Sequence, residues 1–208
     1  MPTCTLLGLT KVKKYPTQSM QAVEALRFIL SKGYRPSDVI IGGDSAGGNM
    51  ALGLASHISH LNPVLRPLHL DQPLAGMFLI CAWVTFNTDA PSFSYNLKND
   101  IHGKEGIHEY RDDYVTQAEQ NNWTAPLHAE TTWWKDLPVA KTLNVYGGYD
   151  IFRDDNVAFG KVLEKAGVDV ENIECAHEVH IDCILDAQTG LQPGLMSKGT
   201  WKWLQTVF

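Results

Sequence analysis

Along this chain, short uninterrupted apolar runs alternate with stretches in which apolar residues recur every three or four positions. The runs read as buried strands and the recurrent stretches as helices with one face on a core. Residues 3–10 (TCTLLGLT) are the first run. Pro16 and Thr17 then open a helix in which Met20, Val23, Leu26 and Leu30 share a face, and Gly33 ends it. Residues 38–41 read as a buried parallel strand, and Met50, Leu54, Ala55 and Ile58 mark the helix behind it. The run 75–83 (AGMFLICAW) is uncharged throughout, as expected of a strand covered on both faces. Residues 142–146 and 170–175 give two more strands, separated by a helix over 154–166 that Gly167 stops. Trp201, Leu204 and Phe208 mark an amphipathic closing helix. This alternation predicts an α/β fold with a mostly parallel sheet and right-handed crossovers.

Residues 85–136 break the rhythm: they are polar, aromatic-rich and weakly helical, and too long for a plain loop. Trp123, Trp133 and Trp134 in this stretch either contact a substrate or only pack against the sheet. At 208 residues the chain is long enough for one domain, taken as residues 1–208. A net charge of −6, with the charges scattered, gives no basic footprint for nucleic acid or an anionic membrane. The four cysteines, Cys4, Cys81, Cys175 and Cys183, contain no C-x-x-C pair and point to a reducing, cytoplasmic compartment. No run reaches the length of a transmembrane helix, so a membrane partner is not expected.

One motif changes the picture. Gly43-Asp44-Ser45-Ala46-Gly47 is a G-x-S-x-G run between a strand and a helix, the setting of a nucleophile elbow. A serine at such a turn takes strained backbone angles, and flanking glycines remove side chains that would obstruct it. The amide of Ala46 lies at a helix N-terminus, where an unpaired N–H favours developing negative charge, as in an oxyanion hole. A serine hydroxyl needs an imidazole to take its proton and a carboxylate to orient that imidazole. Asp150 stands at the carboxyl end of a parallel strand, the ligand-binding edge of open α/β sheets, while Asp154 and Asp155 start the following helix and are explained by its dipole. His177 and His180 compete within one loop after the last strand. His57, His60, His69, His102, His108 and His128 have no spacing partner and read as surface or packing residues. His177-Glu178-Val179-His180 lacks the i, i+4 spacing of a zinc helix, so neither a metal nor another cofactor is expected.

GGDSAGGN with its alanine- and leucine-rich helix resembles the hormone-sensitive-lipase-like branch of the α/β-hydrolases, serine carboxylesterases and deacetylases. Further likeness comes from Tyr15-Pro16-Thr17-Gln18, Ala125-Pro126-Leu127 ahead of Trp133-Trp134, and the run from Gly148 through Asp150 to Asp155, so it covers nearly the whole chain. The resemblance implies a triad of Ser45, Asp150 and His180, with Ala46 in the oxyanion hole. It also implies that Asp44 supports the elbow by hydrogen bonds, that Asn49 is structural, and that residues 85–136 are a cap over the site. Residues 3–10 match the fourth of the family's eight strands, and no His-Gly-Gly run is present. The expectation is therefore an N-terminally truncated hydrolase without the H-G-G-G oxyanion loop, with unpaired strand edges and weak activity. The expected partner is a small apolar carboxylic ester, and a homodimer is an analogy with relatives. The alternatives are a non-catalytic ligand binder and an inactive truncated remnant.

Overall fold

The computed structural model describes residues 13–207; the strand expected over residues 3–10 lies outside them, as do Cys4 and Phe208. Four strands, β1 Ile40–Asp44, β2 Gly76–Ile80, β3 Thr142–Gly147 and β4 Val170–Cys175, form one parallel sheet in the order β1-β2-β3-β4. The helices are α1 Thr17–Ser31, α2 Ala46–Ser59, α3 Ser92–Tyr95, α4 Lys104–Tyr114, α5 Arg153–Ala166, α6 Asp182–Thr189 and α7 Leu195–Val207. Each of the first three strands is followed by a crossover to its parallel neighbour, as the alternating pattern requires.

Two cores follow from the two faces of the sheet. On one face α1, α2 and α5 bury Val23, Leu26, Leu52, Ala55, Phe159 and Leu163 against Met77 and Leu79. On the other, α7 packs Met196 and Trp203 against Leu143 and Val145. Alternating strand positions feed the two faces, so β3 is buried along its whole length and β2 almost so. A third cluster, with Trp83, Phe86, Phe93, Ile151 and Phe152, gathers residues from the segments that follow β2 and β3.

Several sequence readings need correction. Residues 38–41 do not form a buried strand: Asp38 closes a turn by pairing with Arg35 at 2.8 Å, and the strand starts at Ile40. As the edge of the described sheet, β1 is only half-buried. On α1 the inward residues are Val23 and Leu26, while Met20 is 51% exposed. On α7, Trp201 is 53% exposed, whereas Trp203, two residues on, is 2% exposed and lies on Gly76. Helical periodicity had placed the wrong indole inward because both positions are tryptophan and lie on different faces.

The tryptophans of residues 85–136 take the packing role. Trp134 is fully buried and meets Phe159 edge-on at 5.2 Å. Trp133 stacks on His60 at 3.9 Å, and Trp123 donates its indole N–H to the His60 carbonyl. His60 caps the far end of α2 from Ser45, about 21 Å away for a helix of 14 residues. Trp123 and Trp133 therefore brace α2 and stand away from the elbow. No helix among the described residues is long and apolar enough to cross a membrane.

Truncating the two indoles of α7 separates their roles. Trp203→Ala is expected to cost about 3–5 kcal/mol of stability, and Trp201→Ala less than about 1 kcal/mol, as read from urea unfolding of each variant.

Candidate active site

Ser45 links β1 to α2 with φ 49° and ψ −115°, the strained geometry expected of an elbow serine. Its N–H donates to the Ile80 carbonyl at 2.9 Å, and its carbonyl accepts from Trp83 N–H at 3.0 Å. The strain is thus held by the segment that follows β2. The close approach is made at Gly43, where a Cβ would lie 2.5 Å from the Gly47 carbonyl carbon. Gly47 itself faces open space, so of the two flanking glycines only Gly43 is required sterically. Buried Asn49, one turn into α2, donates to the carbonyls of Trp83 and Thr124, each at 2.7 Å, which is the structural role expected of it. The Ala46 N–H belongs to the first turn of α2, whose donors have no intrahelical acceptor.

Asp150 and His180 meet. His180 Nδ1 lies 3.2 Å and 3.3 Å from the two carboxylate oxygens of Asp150, and both side chains are fully buried. The carboxylate is turned by Phe152 N–H, which donates to Oδ1 at 2.8 Å. An ionised carboxylate only accepts, so the imidazole proton sits on Nδ1 and Nε2 is left as the basic atom. Nε2 is buried with no hydrogen-bond partner among the described residues. Burial of the ring lowers its proton affinity, but the charge and hydrogen bond of Asp150, with the charges of Asp100 and Asp44, outweigh it. The net result is a pKa above the ordinary 6.5.

The segment after β4 brings His180 to Asp150 by crossing the end of β3. The chain after β4 passes directly above Gly147, where a Cβ would overlap the Glu178 carbonyl. Tyr149 N–H donates to that carbonyl at 2.9 Å, and Ile181 N–H reaches Cys81 Sγ at 3.3 Å. Cys81 immediately follows β2, so Ser45 and His180 are both fastened to residues 80–83. Ser45 Oγ and His180 Nε2 share the carboxyl rim of the sheet without a hydrogen bond between them.

Cys81, Asp150 and His180 bring a sulfur, a carboxylate oxygen and a ring nitrogen within 4.8 Å of one another. Burial, the Asp150 charge and donation of the S–H to Asp150 push the Cys81 thiol well up, so it stays protonated. The carboxylate of Asp150 accepts from Phe152 N–H and His180 Nδ1–H, with the Cys81 sulfur within 4.8 Å of it.

The rival residues go elsewhere. His177 is exposed and hydrogen-bonded through Nδ1 to the Tyr149 hydroxyl at 2.8 Å. Asp154 accepts from Ser92 N–H and the Tyr95 hydroxyl and pairs with Arg153. Asp155 is buried, with one oxygen unpartnered among the described residues, so a dipole at the start of α5 does not account for it. Burial, then the charges of Asp154 and Asp150, push its pKa up to about 7. Asp44 makes no hydrogen bond through its carboxylate among the described residues and acts on His180 by charge, contrary to the expected bonding role. His102, read from spacing as a bystander, sits edge-on to His180 at 5.2 Å; burial and the charge of His180 hold its pKa down. His57, by contrast, is a fully buried bracket between Arg66 and Asn62, and His108 and His128 bond Thr88 and Thr85.

The chain thus places a serine at a strained strand-to-helix turn after β1, and a paired carboxylate and imidazole after β3 and β4 of the same parallel sheet. A family model described as the alpha/beta hydrolase fold matches residues 12–183, and the chain belongs to that family. It is 28% identical to a curated esterase of Acinetobacter venetianus over 161 residues, 75% of this chain and 48% of that protein. It is 27% identical to Esterase LipI of Mycobacterium tuberculosis over 164 residues, 76% and 48% of the two chains. The chain thus spans about half the length of the curated relatives it matches. Among solved structures, an esterase from the bacterial hormone-sensitive lipase family superposes with a TM-score of 0.69 at 25% identity, over 82% of this chain and 54% of that one. A thermostable esterase from Pseudomonas putida gives 0.69 at 23% identity, over 82% and 52%, a likeness of fold.

Two measurements check this geometry. Gly147→Ala should push the crossing loop off β3 and separate His180 from Asp150, seen as loss of the downfield Nδ1 proton resonance in NMR. For Asp155, the unfolded chain releases its proton near the ordinary 3.8 while the folded one keeps it to about 7. Stability should therefore fall by up to roughly 1.4 kcal/mol per pH unit as pH rises through that interval. Asp155→Asn should remove this slope and be the more stable protein above it, in urea titrations at each pH.

Proposed function

We propose that the chain carries the reaction centre of a serine carboxylic ester hydrolase, a carboxylesterase or deacetylase acting on esters of small apolar molecules. The observation that carries this reading is the buried Asp150–His180 pair, whose Nε2 is left without a partner on the rim where Ser45 sits at φ 49°. In a free enzyme the hydroxyl–imidazole bond is often long and tightens only around substrate. The names of the similar esterases support the same chemistry.

In the proposed mechanism, Ser45 Oγ attacks the ester carbonyl and its proton passes to His180 Nε2. Asp150 holds the ring in the required tautomer and stabilises the imidazolium. The Ala46 N–H donates to the developing oxyanion at the start of α2. Collapse expels the alcohol, which takes the proton from His180 and leaves an acyl group on Ser45. Water, deprotonated by His180, then attacks the acyl carbon, and the acid leaves as Ser45 recovers its proton. Residues 85–136 would cover the site, with Trp83, Phe86 and Phe152 as the apolar wall nearest the base. Because the sequence contains no His-Gly-Gly run, turnover by these residues alone is expected to be slow, each absent oxyanion donor costing on the order of a hundred- to a thousandfold.

Covalent labelling by an alkyl fluorophosphonate reads the nucleophile independently of turnover. The wild-type chain is expected to gain one phosphonyl group at Ser45, and Ser45→Ala and His180→Ala to gain none, by intact mass. The rate should rise with pH as the imidazole loses its proton, with a midpoint above 6.5 in the direction set by Asp150. Equal labelling of the wild type and His180→Ala would overturn the reading.

A further inference from the structure

The loop between α3 and α4 carries Asp100, whose carboxylate touches both segments that bear the proposed acid and base. Oδ2 accepts the N–H of Ile151, the neighbour of Asp150, at 2.5 Å. Oδ1 accepts the N–H of His180 at 3.3 Å and that of Ile101 at 2.6 Å. The same stretch holds the carbonyls of the Asp150 turn: Asn96 Nδ2 donates to Gly148 and Asp150, and Ser92 Oγ donates to Ile151. Of these side chains, Asp100 is the one that reaches across to the base.

We propose that Asp100 is a positioning residue: its carboxylate fixes the main chain at Ile151 and at His180 in one register, so that Asp150 and His180 stay in contact, and its charge supports the imidazolium. This rests on the reading of Ser45, Asp150 and His180 as a triad. Three N–H groups converge on the two oxygens, which suits a carboxylate and no amide, because the NH₂ of an asparagine would face a donor. A second anion is costly beside Asp150. Burial, and next the charge of Asp150, raise the Asp100 pKa, while the Ile151 N–H and the charge of His180 oppose this. The groups that act on the His180 ring are Asp150 after β3, Asp44 at the end of β1, Cys81 after β2, and Asp100 and His102 from the loop before α4. The anions among them favour the protonated ring, so neutralising Asp100 lets it lose its proton at lower pH.

The test measures the rate of fluorophosphonate labelling across the titration of the imidazole for the wild type, Asp100→Asn, Asp100→Glu and His180→Ala, with folding followed by circular dichroism. In this reaction Ser45 Oγ displaces fluoride from phosphorus and its proton passes to His180. For Asp100→Asn the plateau rate is expected to drop on the order of a hundredfold, as for a misplaced catalytic group, with the acid limb displaced to lower pH. Asp100→Glu keeps the charge but shifts the carboxylate by a methylene, so its plateau should drop while its acid limb stays in place. If Asp100→Asn does not fold, the Asp100→Glu profile decides alone. Wild-type plateau and limb in the folded variants, with His180→Ala inert, would overturn the role of Asp100 and leave the triad standing. Labelling of His180→Ala at the wild-type rate would remove the triad and this proposal with it.

Discussion

The site depends on one buried contact, the pairing of the Asp150 carboxylate with the His180 imidazole. Both side chains are wholly out of water, so each has given up hydration that only well-aimed partners can replace. For Asp150 those partners are Phe152 N–H and His180 Nδ1–H. For His180 they are the same carboxylate and, at its main chain, Asp100. Removing any one leaves charge or a polar atom stranded in an apolar surround of Phe152 and Ile151. The pair therefore over-determines the position of three segments far apart in sequence, those after β2, β3 and β4.

The backbone is shaped to allow that contact. Parallel strands deliver their following segments to one rim, but the segment after β4 starts two strands away from the end of β2. It closes the gap by crossing the end of β3, where Gly147 offers no side chain to cross over. A glycine here makes room for passing backbone, while Gly43 lets a chain turn onto itself. The first determines where His180 can be, the second where Ser45 can be.

How much of this was legible in the residues alone follows from where each signal resides. Of the strands after the elbow, β2 was readable because it is buried on both faces and shows as an unbroken apolar run, whereas β3, buried at every position, carries Thr142 and Asn144 among its apolar residues. Gly167, in the left-handed region at φ 83°, ends α5 where the pattern said it would. The places of Ser45 and Asp150 just beyond strand ends were readable because a glycine two residues before each marks the turn out of the strand. The choice of His180 over His177 needed the family likeness, and the contact with Asp150 agrees with that choice. Asp100 and His102 were not readable. Their segment has no periodicity, and their importance comes from lying against residues 80 and 78 positions further on, which composition and spacing cannot express. Asp155 was misread for a related reason: the start of α5 explains an exposed aspartate well, and nothing local says that this one is buried. The indoles of α7 show a finer limit, since helix phase separates Trp201 from Trp203 only when the direction of the core is already known.

Ser45 stands on a different footing from its partners. Asp150 follows a strand buried at every position, whereas Ser45 follows β1, which has no paired strand on its outer side among the described residues and is half-exposed. An apolar groove lined by Ala22, Leu26, Ile41 and Met50 runs beside it. The elbow is therefore fixed from one side, through Ile80 and Trp83. Asp44 and Ile80 are partners in the ladder, so Ser45 and Cys81 occupy equivalent positions one residue beyond adjacent strands. Both take positive φ, 49° and 48°. Conformations of this kind cost on the order of 1–3 kcal/mol each and persist only where the surroundings leave no alternative. At Cys81 the constraint comes from Val145, Ile181 and Asp150; at Ser45 it comes from the Cys81 segment itself. The placement of Ser45 relative to His180 is thus set through residues 80–83, which hold the elbow through Ile80 and Trp83 and the segment of His180 through Cys81.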